Sequence, residues 1–133
     1  MSTFGAVLAR EGVSAVGALD EIEVPVLGAP QRQGDVGVFA APPRLDRGTL
    51  VGAEGVVVVA GEATGNTHVL HADGRVWWAP VVDELVLGRV VVEPGATGWL
   101  IHTDEHGVNG LLPGCYELRG KREQADVVRR VAD

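Results

Sequence analysis

Three features of the sequence predict an all-β fold: a small single-domain barrel or sandwich of about seven short strands behind an irregular N-terminal arm. Turn dipeptides at Asp73-Gly74, Pro94-Gly95 and Pro113-Gly114 separate short β-rich runs. Hydrophobic residues make up 46% of the chain but aromatics only 5%, so the core is built mostly from Val, Leu and Ala, with Trp77, Trp78 and Trp99 as its large pieces. Nineteen glycines suit tight turns, and the abundance of β-branched valine suits a pleated surface. At 133 residues the chain needs only one core, so a β domain over 32–133 follows an arm over 1–31.

The arm is rich in small residues, among them Gly5, Ala6, Ala9, Gly12, Ala15, Gly17 and Ala18. Phe4, Val7 and Leu8 start a helical stripe, but Gly12 and Gly17 each cost about 1 kcal/mol relative to alanine, which argues against a long helix. An extended piece over Glu21–Leu27 is interrupted by Pro25. The stretch GDVGVFA alternates, placing Val36 and Val38 on one face, and APPR stops it. EGVVVVAG holds four valines without polar alternation, as expected of a strand covered on both faces, or on one face by the core and on the other by a neighbouring chain.

In THVLHADGRVWWAP, Asp73-Gly74 between two β-rich runs predicts a two-residue hairpin. That register pairs His71 with Val76 and Leu70 with Trp77. His68, Leu70 and Trp77 then share one face, and Val69, His71, Val76 and Trp78 the other, so His68 and His71 point in opposite directions. Of the two tryptophans, at most one is core and the other is an exposed anchor. ELVLGRVVVEPGATGWLIHT reads as two strands joined at Pro94-Gly95, and CYELRG as another strand after Pro113-Gly114. REQADVVRRVAD is a polar tail or a short helix.

Eleven basic against 18 acidic residues give a net charge of -7, which repels nucleic-acid backbones and anionic membranes. The basic residues near the C-terminus, Arg119, Lys121, Arg122, Arg129 and Arg130, are interleaved with Glu117, Glu123 and Asp126, so neither class of partner is expected. A single cysteine, Cys115, makes no intramolecular disulfide and fits a reducing compartment. No basic head with an unbroken apolar run opens the chain, and no run approaches the roughly 18 apolar residues of a membrane span. A soluble protein of the cytoplasm or a virion is the expectation.

His102, Asp104, Glu105 and His106 fall within five positions, close enough for one loop to gather metal ligands. With His68 reaching in from its strand, His68, His102, Glu105 and His106 form a candidate site for one transition metal ion. The plainer alternative is a set of solvated or hydrogen-bonded histidines in turns and at strand ends. Cys115 sits inside a strand beside Tyr116 and reads as a small buried hydrophobe. GEATGNTH lacks the lysine of a phosphate-binding loop, and a tight turn accounts for Gly61 and Gly65.

Several stretches together resemble an uncharacterised family of small bacterial and phage-associated β proteins: RQGDV at 32–36, GEATGNTHVL at 61–70, DEHG at 104–107 and LPGCYELRGKRE at 112–123, with VRRVAD closing the chain. In the family pattern the GNTH stretch reads Gly-His-x-His and the TDEH stretch His-x-x-His. The resemblance therefore implies a four-histidine set of which this chain keeps His68 and His106, with Asn66 and Thr103 at the other two positions. Asn and Thr are poor ligands for a transition metal, so the resemblance implies a scaffold that has lost such a site.

Together these features lead us to expect a non-enzymatic structural protein in a symmetric homo-oligomer or larger assembly, with no cofactor. A phage capsid decoration or accessory protein is its most concrete form, and Phe4, Val7, Leu8, Trp77 and Trp78 are the contact candidates. The alternative expectation is a metal-dependent small-molecule enzyme or metal sensor built on the histidine set.

Overall fold

The computed structural model describes residues 25–43, 47–59, 67–83, 85–102 and 107–120. The expectations for Phe4, Val7, Leu8, Glu105, His106, the 61–66 stretch and the tail over 121–133 lie outside the described residues. Among those described, eleven strands form two sheets: β1 (Val26–Leu27), β2 (Gln31–Gln33), β3 (Val36–Ala40), β4 (Thr49–Leu50), β5 (Val56–Val59), β6 (His68–Asp73), β7 (Val76–Pro80), β8 (Val86–Val92), β9 (Thr97–His102), β10 (Gly107–Leu111) and β11 (Gly114–Gly120). A five-stranded sheet runs β1-β10-β9-β6-β5 and a six-stranded sheet runs β2-β3-β11-β8-β7-β4. Neither closes on itself, so the fold is a sandwich, and all pairs are antiparallel except β1 with β10.

The core lies where the inner faces meet. Val36, Val38, Val76, Trp78, Val90, Val92, Tyr116 and Leu118 from one sheet pack with Val58, Leu70, Leu100 and Leu111 from the other. Each fully buried Leu or Val is worth about 1.5–3 kcal/mol relative to exposure. The alternation expected in GDVGVFA holds, with Val36 and Val38 both buried in the core. Tyr116 carries its hydroxyl into this layer, where it donates to the Leu112 carbonyl at 2.5 Å, and burial pushes its phenol above the ordinary value.

The hairpin expected at Asp73-Gly74 does not form. β6 pairs with β9 and β5, β7 pairs with β8 and β4, and the Asp-Gly corner carries the chain from one sheet to the other. The physical reason is burial. The hairpin register would put Leu70 and Trp78 on opposite faces, whereas the crossing corner aims Leu70, Val76 and Trp78 into one interior. The Pro94-Gly95 and Pro113-Gly114 turns cross between the sheets in the same way. Two of the crossings stack: Glu93 N donates to Arg75 O at 3.0 Å, and a Cβ on Gly74 (φ 92) would stand 2.9 Å from the Ala96 Cβ. Only glycine combines that backbone with that proximity.

Residues 25–31, grouped with the arm in the sequence reading, take part in both sheets through β1 and the start of β2. The four-valine run is not a strand covered on both faces within this chain. β5 is the last strand of its sheet, and while Val58 is buried, Val57 on the outer face is 53% exposed.

Candidate functional site

Polar side chains converge at one end of the sandwich. β6 and β9 are in register with His68 opposite His102 and Leu70 opposite Leu100. Alternation points all four toward the interior, because Leu70 and Leu100 are core residues. The imidazoles are 2% and 4% exposed and stack with centroids 4.3 Å apart and planes within 7°. The β2–β3 hairpin of the other sheet closes this end. It turns at Gly34 (φ 57), where a Cβ would lie 3.7 Å from His68 Cε1.

Gln33 links the two sheets here. Its Nε2 donates to Leu100 O (2.7 Å), Gly107 O (3.2 Å) and Asn109 Oδ1 (3.0 Å), and its Oε1 lies 2.8 Å from His68 Nδ1. The two backbone carbonyls settle the amide orientation, since a flipped amide would set oxygen against oxygen. Oε1 therefore accepts and His68 Nδ1 carries the proton, so in the neutral ring the lone pair is on Nε2. The chain of donors continues in one direction. Asn109 Nδ2 donates to Gln31 Oε1 at 3.2 Å and Arg32 O at 3.1 Å. Gln31 Nε2 then donates to the carbonyls of Leu27, Gly28 and Gly110. An Nδ1–H anchored to a carbonyl oxygen is how proteins orient a ligating or proton-accepting histidine, and equally how they satisfy a buried one.

Of the predicted metal set, His68 and His102 come together, while Glu105 and His106 lie outside the described residues. Stacking works against joint ligation. The lone pairs lie in nearly parallel planes, so one ring must rotate out of the stack before both can donate to one ion at about 2.1 Å. Among the described residues, no three His, Cys, Asp or Glu side chains gather in a set able to hold a metal ion. His71 points to the opposite face of β6, as expected, but strand alternation is the cause and not a hairpin.

The tryptophans fall on opposite faces as expected, but Trp78 is buried in the core and so is no contact residue, and Trp77 on the outer face is half-buried rather than exposed. Trp77 Nε1 donates to Glu93 Oε2 at 2.6 Å, with Arg75 (3.0 Å) and Arg47 (3.5 Å) on the same oxygen. The indole N–H, then Arg75, hold the Glu93 carboxyl below the ordinary value.

Sequence reasoning missed Gln31, Gln33 and Asn109. A signal was present for two of them. Gln33 and Gln31 pair with Val36 and Val38 across the tight Gly34 turn, so amides in phase with two core valines must enter the interior.

Residues 32–121 match the family described as Domain of unknown function (DUF8820). The chain belongs to this family. The DUF8820 segment starts at Arg32, inside β2, and ends one residue beyond β11, so it spans β3 to β11 whole and takes in both Gln33 and the histidine pair. No curated protein and no solved structure matches the chain. No helix among the described residues is long and apolar enough to cross a membrane.

Proposed function

We propose that this DUF8820 protein is a non-enzymatic structural protein working in a symmetric homo-oligomer, with a phage capsid decoration or accessory protein as its most concrete form. One observation carries the reading: the apolar edge of the sandwich. β5 ends its sheet as four valines with Val57 half-exposed, and on β4, which ends the other sheet, Leu50 is exposed beside Trp77. An uncharged, apolar edge strand is a template for pairing with another chain. The N-terminal segment with Phe4, Val7 and Leu8 adds contact area in this reading. Light scattering at micromolar concentration is expected to give an oligomer that shrinks when a protease removes the residues before Pro25 and leaves β1 and β2 in place. A compact monomer indifferent to that cleavage overturns the proposal.

The histidine pair supports a second reading, a metal-dependent enzyme or metal sensor using His68, His102, Glu105 and His106. The supporting observation is the anchored His68 tautomer, which leaves Nε2 as the nitrogen able to ligate. Elemental analysis of protein purified without chelator tests it. Stoichiometric Zn, Fe or Mn that is lost in His106→Ala favours this reading, and metal-free protein whose melting is unaffected by chelator refutes it.

A further inference from the structure

We infer that the chain just before Pro25 crosses the outer face of its own five-stranded sheet and seats Ile22 and Val24 against Trp99 and Ile101. This goes beyond the assembly reading and does not need it, and Phe4, Val7 and Leu8 lie far enough upstream to serve that reading unchanged.

The face itself is the first observation. Strand alternation puts Val69, His71, Trp99, Ile101, Val108 and Gly110 on the side of the five-stranded sheet away from the core, where no described strand lies. Such a face is expected to be solvated, yet Ile101 is 0%, Trp99 2% and Val108 6% exposed. Val57, on the same face at the β5 edge, is 53% exposed, so the cover comes from the β10 side. The indole N–H of Trp99 is buried there without an acceptor among the described residues, and a covering backbone carbonyl would supply one.

The chain enters at that side. β1 pairs parallel with β10, Val26 beside Gly110. A Cβ on Gly110 would point onto the outer face and stand 2.9 Å from the Pro25 carbonyl oxygen and 2.9 Å from Trp99 Cζ3. The backbone arriving at β1 therefore already lies over the sheet, next to the indole. The residues before it, Glu21-Ile22-Glu23-Val24, alternate charged and apolar, the pattern of an extended segment with one face to bury. Three extended residues reach roughly 10 Å, two strand spacings, which carries Ile22 from β10 past β9 and stops short of Val57.

Hydrogen exchange read by mass spectrometry tests this on the unaltered chain. Residues 19–24 are expected to exchange about tenfold or more slower than in the free peptide, and exchange at the free-peptide rate overturns the inference. In folded Ile22→Asp, acrylamide quenching of tryptophan is expected to rise, and the rise to vanish when Trp99→Phe is added. Quenching equal to that of the wild type overturns the contact with Trp99. Val69 is half-buried and pairs with Ile101 on the covered face. In a Cys115→Ser background, Ile22→Cys and Val69→Cys are expected to be joined within one chain by a short bis-maleimide. A cross-linked dimer in place of that product would put a neighbour's segment on the face and overturn the inference.

Discussion

Replacing Gln33 by leucine removes a side chain that ties His68 to both sheets. Four hydrogen bonds end on its carboxamide, at 2.7, 3.2, 3.0 and 2.8 Å, and the residue is only 6% exposed. Each such bond is worth about 1 kcal/mol net, and the groups left behind, His68 Nδ1–H and Asn109 Oδ1 among them, cannot all reach water. The loss is about 4 kcal/mol, and leucine returns about 1 kcal/mol through its apolar body, leaving about 3 kcal/mol. For a chain of this size that lowers the melting temperature by about 10 °C. Urea unfolding at neutral pH should show the midpoint falling with the slope unchanged, since the surface exposed on unfolding is the same. A cycle with His68→Ala should return a coupling of about 1 kcal/mol for the Nδ1–Oε1 bond. If Gln33→Leu costs less than about 1 kcal/mol, or the two substitutions simply add, the buried amide chain does not hold the histidine as described.

Nitrogen-detected NMR of labelled protein should report His68 as the Nδ1–H tautomer; the Nε2–H form would contradict the amide orientation deduced from Leu100 O and Gly107 O. Gly88→Ala is expected to destabilise by about 1–3 kcal/mol and to perturb the near-ultraviolet dichroism of tryptophan. The new methyl would lie 2.4 Å from Trp78 Cη2 and 2.7 Å from the Ala79 carbonyl, which cannot move aside cheaply. The Glu93 carboxyl is held below its ordinary value in the fold, so its contribution is present above the unfolded value and is lost as pH falls through the folded one. Glu93→Gln keeps an acceptor for Trp77 Nε1 but removes the charge. Its melting temperature should therefore fall less than that of the wild type on acidification, and the difference should shrink in about 1 M salt. Parallel acid profiles for the two proteins would count against the Trp77–Glu93–Arg75 contact.

Much of the fold is local and hence legible. Alternation placed Val36 and Val38 inward, the turn dipeptides marked where β6, β8 and β10 end, and neighbouring positions on one strand forced Trp77 and Trp78 apart. For the site, the sequence reading set His68 and His102 together only as two of four candidate metal ligands and did not reach what surrounds them. Gln33 lies 35 residues from His68 and Asn109 lies 76 from Gln33, and no short-range pattern encodes which distant amide meets which imidazole.

The all-β class and the two-residue alternation of β3, β6 and β7 are consequences of side-chain chemistry, so the sequence by itself determined them, whereas eleven strands are described against about seven expected and β2, β4 and β10 carried no such signal. Strand pairing is not local. An Asp-Gly corner can close a hairpin or cross between layers with the same two residues, and the choice falls to whichever arrangement buries Leu70, Val76 and Trp78 together. Only the packed tertiary structure decided that, and with it the stacking of His68 on His102 and the exposure of Val57 at an open edge.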